Sequence, residues 1–191
     1  GKIPVTVKSR IGVDDQNPDE VLPEFITKVA NSGCSVFIIH ARKALLRGLS
    51  PKDNRTIPPL QYPLVYEMQK NFPGLDIILN GGLTDLKEMK SCVNNRVAGV
   101  MIGREAYENP SILLNVDNEI FDQKEKIRSM KDAIRNMIEY CNREQAEGTA
   151  IRGILKHLKG AFKGQANSKE FKRLLFCNET TDLHKLETVS Y

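Results

Sequence analysis

The sequence predicts an α/β fold: the C-terminal half of a (βα)8 TIM barrel followed by a small all-α domain. Three observations predict it. Short apolar runs alternate with amphipathic stretches up to Phe121, which is the pattern of βα units. The runs are apolar at successive positions rather than alternate ones, as in parallel strands covered on both faces. After Phe121 only helical periodicity remains.

The elements follow in order. Val5-Thr6-Val7-Lys8 is β-branched and reads as the first strand. A helical stripe at Leu22, Phe25, Ile26, Val29 and Ala30 comes next, with Gly33 placed to end it. Val36–His40 is a second buried strand. Val65, Met68 and Phe72 mark a helix stopped by Pro73-Gly74. Ile77–Asn80 is a third strand, and Thr84 is placed to cap a helix buried through Leu86, Met89 and Val93. Val97–Ile102 is a fourth strand, and Asn109-Pro110 reads as cap and first residue of a helix through Ile112, Leu113, Val116 and Ile120. Four such units fit half a barrel or an open doubly wound sheet. Half a barrel leaves two strand edges unpaired, so the expectation is that the first half precedes this segment.

Beyond that point Ile127, Met130, Ile134, Met137, Ile138 and Cys141 make one long helix, broken at Glu147-Gly148-Thr149. Ile151, Leu155, Leu158 and Phe162 make a second, and Phe171, Leu174 and Leu175 a third. The expected organisation is a partial barrel over 1–121, a helical domain over 125–177 and a tail without clear period over 178–191.

Composition excludes some classes. No apolar run approaches the ~18–20 residues that span a bilayer, and no signal peptide opens the chain. The four cysteines, Cys34, Cys92, Cys141 and Cys177, form no CxxC pair, so neither a zinc site nor a disulfide framework is expected. Scattered thiols of this kind suit a reducing, cytoplasmic compartment.

The strand ends carry the chemistry, because barrel sites lie at the C-terminal ends of the strands. The four ends read Lys8-Ser9-Arg10, His40-Ala41-Arg42, Asn80-Gly81-Gly82 and Gly103-Arg104. Gly81, Gly82 and Gly103 let backbone N–H groups approach an anion, and Arg104 adds a bidentate donor, which favours phosphate binding over a plain turn. A single strand-end lysine such as Lys8 is most often solvated, and a histidine at the end of an apolar run, as at His40, is most often a hydrogen-bonded core residue. The alternative for Lys8 is to stabilise negative charge on a bound ring.

The helical part is basic. Arg152, Lys156, Lys159 and Lys163 recur at helical spacing, offset by about one residue, or roughly 100°, from the apolar stripe. With Lys169, Lys172 and Arg173 they make seven cations against one acid, Glu170. That bias exceeds what a solvated face needs and points to a polyanion.

These stretches together resemble a known family. Val5–Gly12, His40-Ala41-Arg42-Lys43-Ala44, Gly48-Leu49-Ser50-Pro51-Lys52-Asp53-Asn54-Arg55, Asn80-Gly81-Gly82 and Met101-Ile102-Gly103-Arg104 are similar to the tRNA-dihydrouridine synthases, with the middle stretches resembling the DusA-type subfamily. The likeness is specific from Ile3 to Phe121 and weaker to Leu175. It implies a barrel that holds FMN, reduced by NADPH, with hydride passed to C6 of a flipped-out uracil in the D-loop of tRNA and a cysteine protonating C5. Lys8 matches the family's contact to the N1/O2 edge of the flavin; His40, Asn80, Gly81, Gly82, Gly103 and Arg104 match its other FMN contacts. Lys52, Arg55, Lys169 and Lys172 match tRNA-contacting positions, the last two usually arginine in the subfamily. A lysine there still binds phosphate but lacks the planar fork.

The family's Asn-x-Gly-Cys-Pro loop has no match, since Cys34 is followed by Ser35 and opens a strand. The proton donor is therefore expected upstream, and the chain by itself is expected to be inactive, a monomer, cytoplasmic, with an organellar copy left open. Two other readings stand beside this one. The strand ends by themselves also permit another FMN barrel acting on a free pyrimidine, which the basic helical part disfavours. A catalytically inactive RNA-binding remnant is the third.

Overall fold

Among the described residues, four strands pair in parallel in the order β1-β2-β3-β4: β1 (Val7–Arg10), β2 (Val36–His40), β3 (Asp76–Asn80) and β4 (Gly99–Met101). The structure, a computed structural model, describes residues 3–124, 129–176 and 183–187. Ile127 and Cys177, assigned to helices from the sequence, lie outside them. The chain divides into two compact units, Gly1–Ile102 and Gly103–Tyr191.

In the first unit each of the first three strands is followed by a connection carrying a helix: α1 (Pro18–Ala30), α2 (Tyr62–Asn71) and α3 (Leu86–Asn95). Asn17 caps α1 by accepting from the Asp19 N–H at 3.2 Å, with Pro18 in the first turn, an arrangement whose loss costs ~0.5–2 kcal/mol. Gly33, with φ +96°, turns the chain out of α1, its N–H bonded to Ala30 O. The cap of α3 is Asp85, not Thr84: its carboxylate accepts from the Glu88 N–H at 2.9 Å. Both residues suit a cap by type, and a charged acceptor at the positive helix end is favoured.

The register distinguishes the two faces of the sheet. Phe37 and Ile39 of β2 and Ile77 and Leu79 of β3 point one way and are fully buried. The core around them includes Leu22 and Ile26 of α1, Leu64, Val65 and Met68 of α2, and Met89 and Cys92 of α3. Each such side chain contributes ~1.5–3 kcal/mol by leaving water. The opposite face carries Lys8, Arg10, His40 and Asn80. Strand β1 lies two residues later than Val5–Lys8, because its ladder partner on β2 begins at Phe37. Val5 is left 71% exposed despite its strand propensity.

The second unit is helical in its described residues: α4 (Arg104–Glu108), a 3₁₀ stretch Pro110–Asn115, α5 (Val116–Phe121), α6 (Met130–Ala146), α7 (Arg152–Leu155), a 3₁₀ turn Lys156–Leu158, α8 (Ser168–Phe176) and α9 (His184–Glu187). Asn109-Pro110 thus opens a 3₁₀ stretch rather than an α-helix. Ser129 caps α6 through Asp132 N, and Gly148, with φ +87°, marks its expected break. The core joins Ile134, Ile138 and Cys141 of α6 to Leu155, Phe162, Phe171 and Leu175, with Phe162 and Phe171 edge-to-face at 4.7 Å. Of the expected tail only Leu183–Glu187 is described, and Leu183 and Leu186 are buried in this core.

One expectation is overturned here. Arg152, Lys156, Lys159 and Lys163 do not share the face of one α-helix. After Leu155 the hydrogen bonds shorten to Ala161 N–H to Leu158 O and Lys163 N–H to Gly160 O. Lys163 faces carboxylates instead, 3.7 Å from Glu108 and 4.0 Å from Glu105.

Candidate functional site

In-register parallel pairing lines up the last residues of the strands. Arg10 lies opposite His40, His40 opposite Asn80, and Asn80 opposite Met101. One row of residues at the C-terminal rim is therefore a cation, an imidazole and an amide. Lys8 joins it from two residues back on the same face, reaching across β2: its Nζ donates to Asn80 Oδ1 at 2.9 Å. Asn80 Nδ2 in turn donates to Met101 O at 2.8 Å. The amide thus ties β1, β3 and β4 together at the rim. Burial lowers the Lys8 pKa below the ordinary lysine value of 10.5, and the neighbouring Arg10 charge lowers it further.

Beyond Asn80 the chain turns through two glycines in the left-handed region, Gly81 at φ +113° and Gly82 at φ +74°. Space requires them as well as conformation. A Cβ on Gly81 would stand 2.5 Å from His40 Cδ2, and one on Gly82 2.5 Å from Leu60 Cδ1. His40, only 9% exposed, lies directly against this turn. The Tyr62 hydroxyl donates to Gly81 O at 2.5 Å. Burial, chiefly, pushes its pKa up to about 12, so it remains a donor at all ordinary pH.

Arg10 serves the next connection. Its guanidinium donates to Lys43 O at 2.9 Å and Asn54 O at 2.8 Å. The Asn54 side chain bonds both the N–H and the carbonyl of Leu45, Leu46 N–H donates to Asp14 Oδ1 at 2.7 Å, and Arg42 donates to Pro58 O. The loop between β2 and α2 is thereby held at several points. It presents Lys52 and Arg55 exposed beside a 3₁₀ turn, Asp53–Arg55, that Ser50 caps. Arg42 and Arg55 stand near enough to Arg10 to lower its pKa after burial does.

Gly103 and Arg104 follow β4 in the sequence and belong to the second unit, exposed at the start of α4. Lys169 is exposed and Lys172 half-buried, three residues apart on α8 and so on one side of it.

Among the described cysteines none lies at the rim. Cys34 sits before the opposite end of β2, its thiol donating to Val5 O and Val36 O. Cys92 is buried on α3 against the Tyr66 hydroxyl. Cys141 is in the helical core, its thiol pKa pushed up by burial and then by Glu144. Tyr62, Leu60 and Asn54 are the residues that sequence reasoning missed. Asn54, and Leu60 in Ile57-Pro58-Pro59-Leu60, lay inside stretches that carry the resemblance, but nothing local marks Tyr62.

Comparison with known proteins identifies the family. The family model described as Dihydrouridine synthase (Dus) matches residues 1–190. The tRNA-dihydrouridine(20/20a) synthase of Escherichia coli (strain K12) is 48% identical over 174 residues, covering 91% of this chain and 50% of that protein. Its counterpart in Vibrio cholerae is 46% identical over 172 residues, covering 90% and 52%, and that of Pasteurella multocida 44% over 173 residues, covering 91% and 53%. The chain spans about half the length of the curated relatives it matches. A solved chain of the Salmonella typhimurium RcsB response regulator aligns at 15% identity with a TM-score of 0.29, too weak a likeness to carry an argument. No helix among the described residues is long and apolar enough to cross a membrane. With the family model matched across essentially its whole length, this chain belongs to the dihydrouridine synthase (Dus) family.

Proposed function

We propose that this chain is the C-terminal part of a (βα)8-barrel enzyme that reduces uridine to 5,6-dihydrouridine in the D-loop of tRNA, using FMN and NADPH. In this reading residues 1–121 supply part of the cofactor site and residues 125–177 the helical surface that meets tRNA. The observation that carries it is the rim row: Lys8 bonded to Asn80, with His40 against the Gly81–Gly82 turn.

The residues fit the cofactor. An ammonium held at a set point by an amide suits the anionic edge of a ring, and two glycines leave no side chain in the way of a flat group. Gly103 and Arg104 enter the proposal on the resemblance of their motif, as contacts to the phosphate. What FMN supplies when bound is hydride donation to C6 of the uracil, with NADPH as the source. The chain's own part is electrostatic and positional. Lys8 holds positive charge where reduction puts negative charge on the ring. Asn80 orients Lys8, and Tyr62 fixes the carbonyl of Gly81 and so the course of the turn. Lys52, Arg55, Lys169 and Lys172 meet tRNA phosphates or bases. Since no described cysteine reaches the rim, protonation of C5 falls to a group other than Cys34, Cys92 or Cys141. That same observation favours a second reading, RNA binding without catalysis.

The first test is flavin content. Arg104→Ala removes a charge-assisted contact worth about 1.5–3 kcal/mol, so FMN dissociates about ten- to hundredfold more readily. Unchanged retention of FMN on purification counts against the site. Dihydrouridine formed in unmodified tRNA with FMN and NADPH, by a protein that joins this chain to the barrel half expected upstream, separates the first reading from the second.

A further inference from the structure

The short helix α4 begins at Arg104 and is five residues long. A helix of that length has no stability of its own, so packing decides where it lies. Besides the 3₁₀ stretch Pro110–Asn115 that follows it, α4 packs against the segment 157–163 in the same unit. A Cβ on Gly160 would stand 2.6 Å from Tyr107 O and 2.6 Å from Glu108 O. Both neighbours are backbone and cannot swing aside. Gly160 is not in the left-handed region, so close approach rather than conformation requires a glycine here. The His157 ring meets Tyr107 edge-on at 5.7 Å, and the Lys163 ammonium lies 3.7 Å from Glu108 and 4.0 Å from Glu105. All three contacts bear on the one turn that carries Arg104.

We propose that Gly160, assisted by Lys163, is a positioning residue for Arg104, so that the helical unit sets how tightly the FMN phosphate is held. The proposal rests on the reading of Arg104 as a phosphate contact. At a rise of ~1.5 Å per residue, Glu108 is only ~6 Å along the helix from Arg104. A push at Tyr107–Glu108 therefore acts within about one helical turn of Arg104.

The test compares FMN with riboflavin, which has the same ring and no phosphate, by quenching of flavin fluorescence on the protein. Gly160→Ala should weaken FMN about fivefold or more and riboflavin less than about twofold, whereas a merely structural role would weaken both alike. Gly153→Ala, where an added Cβ meets nothing within 4 Å, should leave the ratio unchanged. If Gly160→Ala does not fold, Lys163→Glu serves. It sets a carboxylate against Glu105 and Glu108 at a half-exposed position, and should lower the FMN-to-riboflavin preference at least about threefold, while Lys131→Glu on α6 should not. Arg104→Ala should collapse the preference about tenfold or more. A preference that survives Arg104→Ala overturns both the phosphate reading and this proposal. One that falls with Arg104→Ala yet survives Gly160→Ala, or Lys163→Glu where that variant replaces it, overturns the proposal alone.

Discussion

Lys8 shows what a single residue contributes to this rim. It is one of many lysines, and only its bond to Asn80 distinguishes it from a solvated strand end. Its lowered pKa means that the ammonium gives up its proton at a lower pH than free lysine does. The positive charge is lost as pH rises through that lowered value, earlier than for a free lysine. In a protein that joins this chain to the barrel half expected upstream, the proposed reduction of tRNA uridine should accordingly decline on the alkaline side at a pH below 10.5, and Lys8→Ala should slow turnover and abolish that limb. The salt dependence of tRNA affinity should not change, because a charge that acts on the flavin ring releases no counterions from tRNA. A pH profile of single-turnover rates, with the salt slope measured beside it, checks both statements; an alkaline limb that persists in Lys8→Ala assigns it to another group.

At the scale of elements, the turn Asn80-Gly81-Gly82 depends on α2 as much as on its own glycines. Tyr62, at the first turn of α2, donates to Gly81 O, and its raised pKa ties the folded state to a protonated phenol. A folded pKa of about 12 against an ordinary 10.0 gives stability that is complete below pH 10 and lost as pH rises through about 12. Tyr66 behaves in the same way, also near 12, so removing one tyrosine removes part of the effect. Tyr62→Phe should flatten alkaline unfolding between those limits. It should also lower the neutral-pH melting temperature by about 2–8 °C, from the loss of one net hydrogen bond of ~0.5–1.5 kcal/mol. Thermal melts at pH 7 and over pH 10–12 measure both; identical alkaline curves for parent and variant would remove Tyr62 from the account. Element boundaries show how far local pattern carries. Val36–His40 was legible to the residue because four successive β-branched or aromatic residues, Val36, Phe37, Ile38 and Ile39, run up to His40, too short a stretch for a helix. The segment 151–162 was not. Its apolar spacing suits an α-helix, but the close approach of Gly160 to Tyr107 and Glu108, about fifty positions away, accompanies 3₁₀ geometry and turns that spacing does not reveal.

For the whole molecule the question is how the proposed substrate is held. With Lys163 engaged by Glu105 and Glu108, the exposed cations of the helical part reduce to Arg152, Lys156, Lys159, Lys169 and their neighbours, not one continuous stripe. Contact with phosphates is largely blind to base identity and releases counterions. Neutralising Lys169 and Lys172 together should therefore flatten the slope of log affinity against log salt by about one to two units if both touch phosphate. It should raise the Michaelis constant for tRNA more than it lowers turnover. Filter binding over a salt series decides it: an unaltered slope makes these lysines a solvated face and leaves the reading of the rim untouched.

The nature of the rim groups could be read from residue order alone. Apolar runs stop where strands stop, so the polar residues that follow them had to lie at strand ends, and paired glycines had to turn the chain. Residue types at those ends favoured phosphate binding; the flavin came only with the resemblance of the longer motifs to a known family. What local order could not supply is which of these groups meet. Pairing register aligned Arg10, His40, Asn80 and Met101. Lys8 bonds an amide 72 residues away, the Gly81 carbonyl is held by a tyrosine from another element, and Arg104 rides on a helix pinned by Gly160. Each of these is decided by packing between distant segments, where a side chain's reach and a backbone's approach depend on neighbours that no stretch of sequence contains.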